Sequence, residues 1–125
     1  MSEPNQIDIN SLHQTVLQET ENDSLLEIDP NFYRNLSEFI GNLKKQEFDG
    51  VESKIKDALI ETATELTSLL INIRLEKISK SEDIQFGNLL DEEKFILDSQ
   101  EEQKERIEMI LSATINGKSK FLESL

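Results

Sequence analysis

The sequence has no cysteine among its 125 residues, and this absence excludes several kinds of chemistry. Disulfide bonds, zinc–thiolate sites and cysteine nucleophiles are all ruled out. The four glycines are dispersed singly, so there is no glycine-rich loop to hold a phosphate. No apolar run approaches the roughly eighteen residues that span a bilayer, and no signal-peptide pattern opens the chain. Together these absences predict a soluble intracellular protein.

Histidine is nearly absent as well, since His13 is the only one. It lies on a short predicted helix, where no carboxylate or serine is spaced to orient it as a base. The acidic pairs Glu92–Glu93 and Glu101–Glu102 lack the Glu-x-x-His partners on facing helices that a di-metal site needs. We interpret His13 as structural or exposed, and the acidic pairs as solvated helix faces and first-turn partners of the helix dipole. The sequence therefore predicts no enzyme activity, no metal and no cofactor.

Basic residues are scarce, because 13 Lys and Arg stand against 26 Asp and Glu, for a net charge of -13. The first thirty-three residues contain no Lys or Arg at all. The negative electrostatic potential of such a protein repels free duplex nucleic acid and anionic lipid. Direct nucleic-acid binding and membrane association are therefore disfavoured.

A long helical pattern from Val51 to Lys80 contains neither glycine nor proline. Its apolar side chains recur at helical spacing and spread beyond one stripe, which indicates burial on more than one side. Asp49 is the predicted N-cap, with Glu52 in the capping-box position. At about 1.5 Å per residue the helix is about 45 Å long, so other helices must pack along it. We predict that it forms an oligomer or partner interface as well as a core, through Ile55, Leu59, Leu66, Leu70 and Ile73.

Two shorter helical patterns precede this one. The first runs from Ile9 to Leu17, with Ser11 and Gln14 as its predicted capping pair. The second opens at Asp29–Pro30, an N-cap followed by proline at the first helical position, and ends near Lys45. Because only a short connection follows, the second helix and the long helix are predicted to be antiparallel neighbours.

The last helical pattern begins at the acidic turn Asp91–Glu93 and closes at the C-cap pair Asn116–Gly117. A polar run from Asp98 to Arg106 interrupts its apolar residues. Either one helix has an exposed middle, or a new helix starts at Ser99 with Glu102 in the capping-box position. We favour the continuous helix. With no strand-like alternation in the sequence, we predict an all-α fold, a helical bundle built around one long central helix.

Arg74, Lys77 and Lys80 form the only cluster of basic residues. The cluster could contact a partner or nucleic acid, but we favour pairing with the acidic turn Asp91–Glu93 across a predicted turn at Gly87–Asn88. An exposed contact of this kind contributes about 0.2 to 1 kcal/mol. Reversal of Arg74 to glutamate is then expected to cost little stability, and a loss of several kcal/mol would show a buried, paired charge.

Three segments, taken in order, carry a resemblance to a known family. They are LEIDPNFY at Leu26–Tyr33, IRLEKI at Ile73–Ile78 and NLLDEE at Asn88–Glu93. This order resembles the helical domain of the GINS family, in the archaeal branch in which that domain precedes a β domain. The resemblance covers roughly residues 25–111, and the sequence stops at Leu125 without the β domain. The predicted organisation is a short helix and loop (1–24), a GINS-like helical domain (25–117), and a tail or the start of a linker to an absent β domain (118–125).

The resemblance implies a non-catalytic scaffold subunit of the replicative helicase assembly in DNA replication. Such a subunit links the MCM motor to a RecJ-like partner and assembles with other GINS subunits into a homo- or hetero-oligomer, expected to be a tetramer. It implies a cytoplasmic or nucleoid-associated location in an archaeon. The alternative is an acidic helical adaptor or regulator that binds a basic protein partner. Added salt distinguishes these two hypotheses. An adaptor that binds a basic partner by mimicking nucleic acid should lose that partner steeply as salt is added, whereas a helical assembly should persist.

Overall fold

The computed structural model describes residues 7–80 and 88–125, and every regular element within these ranges is a helix. The helices are α1 (Ile9–Glu21), α2 (Phe32–Lys45), α3 (Val51–Lys80), α4 (Asp91–Ile115) and α5 (Ser119–Glu123). The all-α prediction is confirmed, with the 30-residue α3 as the long central helix. Gly87, in the predicted turn, lies outside the described residues.

The chain divides into two compact units, Met1–Leu90 and Asp91–Leu125. In the first unit, α1 and α2 both pack against α3. Their shared core is apolar and each of its residues is at most 6 % exposed. It consists of Leu12, Val16, Phe32, Leu36, Ala63, Leu70 and Leu90. The predicted arrangement of shorter helices along α3 is therefore present in this unit.

Helix α1 begins three residues earlier than the predicted capping pair implies. Asp8 is the N-cap, and its carboxylate accepts a hydrogen bond from the Ser11 backbone N–H at 2.8 Å. The Ser11 hydroxyl accepts in return from the Asp8 N–H at 2.9 Å, which completes a capping box. Ser11 is thus the third helical residue and not the cap, since the carboxylate at Asp8 supplies the cap one turn earlier.

The prediction that Asp29 is the N-cap of α2 and Pro30 its first residue is wrong, because Asn31 is the N-cap and the helix begins at Phe32. The Asp29 carboxylate accepts from the Asn31 N–H at 2.8 Å, and the Asp29 carbonyl accepts from the Phe32 N–H at 2.9 Å. Aspartate commonly forms this kind of local turn. The Asp29 carboxylate therefore stabilises the turn through which the chain enters α2. The predicted end of this helix near Lys45 is confirmed.

Two glycines adopt left-handed backbone conformations at helix ends. Gly50 has φ 62° and directly precedes α3, so Gly50 and not the predicted Asp49 occupies the cap position. Gly117 has φ 69° and follows α4. The Lys118 N–H reaches back to the Ala113 carbonyl at 2.8 Å, and the Gly117 N–H bonds the Thr114 carbonyl at 3.3 Å. This is a Schellman motif, as the Asn116–Gly117 pair predicts.

Helix α4 runs without a break through the polar segment 98–106, so the continuous-helix interpretation is confirmed and the start at Ser99 is wrong. After the Schellman turn, α5 folds back against α4. Ala113 is only 5 % exposed, whereas Phe121 and Leu122 of α5 are half-buried. The sequence analysis assigned 118–125 to a tail or linker and did not foresee this short helix.

Replacing Gly117 with alanine should destabilise the end of α4 by about 1 to 2 kcal/mol, because an L-residue is strained in the left-handed conformation. A Cβ at this position would meet no atom within 4 Å, so backbone strain is the only cost. Gly41 of α2 is the matched control, since a Cβ there also meets nothing within 4 Å. In a helix interior Gly41→Ala should stabilise by about 0.5 to 1 kcal/mol. Urea unfolding should give opposite signs, and equal effects would contradict the prediction.

A buried ion cluster and exposed apolar surfaces

Glu19 of α1 forms ion pairs with two cations of α3. Its Oε1 lies 2.6 Å from Nη1 of Arg74, and its Oε2 contacts the Lys77 ammonium. The side chains of Glu19 and Arg74 are both fully buried. Because Arg74 and Lys77 are three residues apart, they lie on one face of α3 and reach the same carboxylate. We call these three residues the buried ion cluster.

Arg74 also holds two loop segments through their backbone. Its guanidinium donates to the Leu26 carbonyl at 3.1 Å and to the Asn88 carbonyl at 2.7 Å. The Asn88 side chain in turn donates to the Leu25 carbonyl at 3.1 Å. A guanidinium suits this position, since its planar array of N–H donors can satisfy several oxygens at once. In the described ranges no buried side-chain nitrogen or oxygen lacks a hydrogen-bond partner.

Lysines of α3 stabilise the C-terminal ends of both preceding helices. Lys77 donates to the Glu19 carbonyl in the last turn of α1, which has no basic residue of its own there. Lys56 donates to the Lys44 carbonyl at 3.0 Å and to the Gln46 carbonyl at 2.6 Å, where α2 ends. A cation at this end of a helix compensates the negative pole of the helix dipole. The central helix therefore supplies the charge that α1 lacks.

The sequence analysis found the basic cluster but not its partner. Arg74 and Lys77 pair with Glu19, whereas the predicted contact with the acidic turn 91–93 stays a prediction. The interpretation of Glu93 as part of a solvated helix face is wrong, because its side chain is buried. A signal for Glu19 was present, because Leu12, Val16 and Glu19 follow the i, i+4, i+7 spacing of one helix face. A carboxylate that continues an apolar face is a candidate for burial, and the only basic cluster of the chain is the natural place for its partner.

Lys80, the third member of the predicted cluster, has a different environment. It pairs with Glu76 one turn earlier in the same helix, at 2.7 Å. Both side chains are exposed, Lys80 by 73 % and Glu76 by 63 %. The hydrogen bond from Lys80, and then its positive charge, hold the pKa of the Glu76 carboxyl below its ordinary value. This surface pair is a natural control for the buried ion cluster.

The five residues predicted to form an interface lie in two different settings. Leu70 is fully buried in the core of the first unit, and Leu66 and Ile73 are half-buried against that core. Ile55 is 54 % exposed and Leu59 is half-buried. Leu70 is therefore a core residue. Of the five, Ile55 and Leu59 in the first half of α3 are the ones away from that core, and their role at an interface stays a prediction.

An open apolar cavity of about 260 Å³ lies where α2 ends and α3 begins. Its lining residues are Leu43, Gln46, Phe48, Glu52, Ile55, Lys56 and Leu59. Phe48 is 37 % exposed, and the neighbouring Val51 is 72 % exposed. The cavity thus contains two of the predicted interface residues, Ile55 and Leu59, and it has room for apolar side chains of a partner.

A second exposed apolar surface, which the sequence analysis missed, lies on the last three turns of α4. Its members are between 45 % and 79 % exposed. They are Ile107, Met109, Ile110, Leu111 and Ile115. Four of them follow the i, i+3, i+4, i+8 spacing of a single helix face, which was legible in the sequence.

Within residues 7–80 and 88–125, no group of three or more His, Cys, Asp or Glu side chains is arranged to hold a metal ion. Over the same ranges, no helix combines the length and apolar character needed to cross a bilayer. No family model, curated protein or solved structure matches this chain.

Proposed function

We propose that this chain is a non-catalytic scaffold subunit of the GINS type, acting in a replicative helicase assembly in DNA replication. In this role its helices bind other GINS subunits, and the resulting oligomer links the MCM motor to a RecJ-like partner. The observation that carries the scaffold role is the exposed apolar surface at two places, the cavity beside Ile55 and the end of α4. Contiguous exposed apolar residues on a small protein commonly mark an interaction site.

The GINS part of the proposal is supported by the places that the three resembling segments occupy. LEIDPNFY contains the Asp29 turn that opens α2, and IRLEKI contains Arg74 and Lys77 of the buried ion cluster. NLLDEE contains Asn88, which accepts from Arg74, and leads into α4. These segments therefore form the junctions of the fold.

The purified chain should show no nucleotide hydrolysis, nuclease or transferase activity of its own, because the proposed role requires no reacting groups. Its effect should appear in trans. Added to an archaeal MCM helicase and the RecJ-like partner on a forked DNA substrate, it should raise the unwinding rate by stabilising the active arrangement of the motor. The resemblance assigns some partner contacts to the β domain, so a version that carries this domain should act more strongly.

The matched control for this assay is the double variant Glu92→Gln and Glu101→Gln, which removes one carboxylate from each acidic pair of α4. A scaffold should give the same unwinding with and without these changes. Metal-dependent turnover by the chain alone, abolished by the double variant, would overturn the scaffold role. Failure to bind either MCM or the RecJ-like partner in sedimentation velocity would overturn the replication role.

A further inference from the structure

Asn116 and Gly117, which follow helix α4, are the only asparagine–glycine pair in the sequence. Each of the other asparagines is followed by a residue that carries a side chain. The backbone nitrogen after an asparagine can attack the side-chain amide of that asparagine, and a side chain on the attacking residue hinders the approach. Glycine has no Cβ and adopts the widest range of backbone conformations. By sequence, Asn116 is therefore the asparagine of this chain best suited to deamidation.

The turn that contains this pair is open to solvent. Asn116 and Gly117 are both exposed. The space beside Gly117 is empty, since a Cβ there would meet no atom within 4 Å. Water and dissolved base therefore reach the side-chain amide of Asn116 and the backbone nitrogen of Gly117.

Two hydrogen bonds hold the reacting groups apart while the turn is closed. The Asn116 amide nitrogen Nδ2 donates to the Ser112 hydroxyl at 3.3 Å, which directs this side chain towards the preceding turn of α4. The Gly117 N–H, whose nitrogen is the nucleophile, donates to the Thr114 carbonyl at 3.3 Å. Both bonds are longer than the ordinary range and are therefore weak. The turn has to open before the nitrogen can attack, and the end of a helix opens at a far lower cost than the whole domain.

We propose that Asn116 deamidates spontaneously in the folded protein, through local opening of the turn that ends α4. The Gly117 nitrogen forms a bond to Cγ of Asn116, and the bond from Cγ to Nδ2 breaks. The proton of the Gly117 nitrogen passes through solvent to the departing nitrogen, which leaves as ammonia. Water then opens the cyclic imide at one of its two carbonyls, which gives aspartate or isoaspartate. No group is oxidised or reduced, and water is the only co-reactant.

Both products disturb the end of α4. Each adds a negative charge at the negative pole of the helix dipole. In isoaspartate the main chain also runs through the former side chain, which inserts a carbon atom before Gly117. The bond from the Lys118 N–H to the Ala113 carbonyl, 2.8 Å in the intact turn, depends on the regular spacing of the main chain. Isoaspartate therefore breaks the Schellman motif, and α5 loses the turn that folds it against α4.

The first experiment follows the full chain in a mildly alkaline buffer by peptide mapping and mass spectrometry, which detects the exchange of an amide NH2 for OH. We expect conversion of Asn116, whereas Asn42 and Asn72 should stay intact. These two are exposed internal controls, each followed by a residue with a branched side chain. Conversion in the folded chain should be about tenfold slower than in urea, which corresponds to about 1.4 kcal/mol for opening of the turn.

Two variants separate the opening of the turn from the chemistry. Lys118→Pro leaves the reacting pair in place but removes the N–H that bonds the Ala113 carbonyl. Its conversion in native buffer should approach its own rate in urea. Lys118→Ala is the matched control, because it removes the same side chain but keeps the N–H, and it should convert in native buffer within about twofold of the parent rate. In urea, Gly117→Ala should convert severalfold more slowly than the parent, since a methyl group then stands beside the nucleophile.

The second experiment measures the consequence for the turn. The isoaspartate form is separated by ion exchange, and amide hydrogen exchange of Lys118 is measured by NMR. Exchange should be at least about tenfold faster than in the unmodified chain, because the bond to the Ala113 carbonyl is lost. Asn116→Asp is the matched control, since it adds the charge without changing the main chain, and it should speed exchange only about two- to fivefold.

Four outcomes would overturn the proposal. If Asn116 stayed intact in the folded chain while it converted fully in urea, the turn would prevent the reaction. Equal rates in the two conditions would show that the turn does not control it. Conversion of Asn72 as fast as that of Asn116 would show general degradation, and unchanged exchange of Lys118 in the isoaspartate form would show that the turn survives. None of these results bears on unwinding in trans, so this inference and the proposed function can fail separately.

Discussion

Replacing Glu19 with glutamine is expected to lower the free energy of unfolding by about 3 to 5 kcal/mol. Glutamine keeps the shape of the side chain but removes the negative charge that both Arg74 and Lys77 contact. These cations were desolvated together with the carboxylate, and a buried charge that loses its counter-charge is costly. Urea unfolding monitored by circular dichroism measures the loss. The marginal stability of a small domain makes a change of this size easy to detect.

The exposed pair between Glu76 and Lys80 is the control for this experiment. Glu76→Gln makes the same chemical change at a side chain that is 63 % exposed, and it should cost less than about 1 kcal/mol. If Glu19→Gln cost no more than this control, the buried ion cluster would not be intact in solution. Arg74→Glu should be at least as damaging as Glu19→Gln, because it places two carboxylates together in a buried site. The sequence analysis expected a small loss of stability if Arg74 were exposed and a loss of several kcal/mol if it were buried. Because Arg74 is fully buried, we expect the larger loss.

Leu70→Glu is expected to unfold the first unit, since it places a charge at a position that is fully buried among apolar side chains. The milder Leu70→Ala should cost about 2 to 5 kcal/mol through lost burial and the cavity it leaves. Thermal unfolding and the intensity of the helical circular dichroism signal report both changes. A Leu70→Glu variant with the parent stability would contradict the core assignment.

Ile55→Glu is the matched change at an exposed position of the same helix. Because Ile55 is 54 % exposed, the variant should keep its stability to within about 0.5 kcal/mol. It should lower the mass of the oligomer measured by light scattering, since a charge is introduced beside the apolar cavity at the start of α3. An unchanged oligomer mass would show that the start of α3 is not part of the interface. If the parent chain were itself monomeric, this surface could bind only a different protein.

Local signals in the sequence determined most of the helix boundaries. The start of α3 follows from Gly50, after which a long run contains neither glycine nor proline, and the end of α4 follows from the Asn116–Gly117 pair. The continuity of α4 through its polar middle was also predicted, because α-helical propensity is high there and no breaker interrupts it. The caps were less well predicted, since Ser11 is as good a capping residue as Asp8, and Asp49 a better one by side chain than Gly50.

Only the tertiary structure decided which groups meet. The ion pair between Glu19 and Arg74 joins residues 55 positions apart, and no local rule specifies such a pair. Periodicity also predicted that several faces of α3 are apolar, but not that Leu70 would be buried while Ile55 stays exposed. A helical pattern defines the face on which a side chain lies. What covers that face depends on where α1 and α2 end along α3, and that is a property of the packed chain.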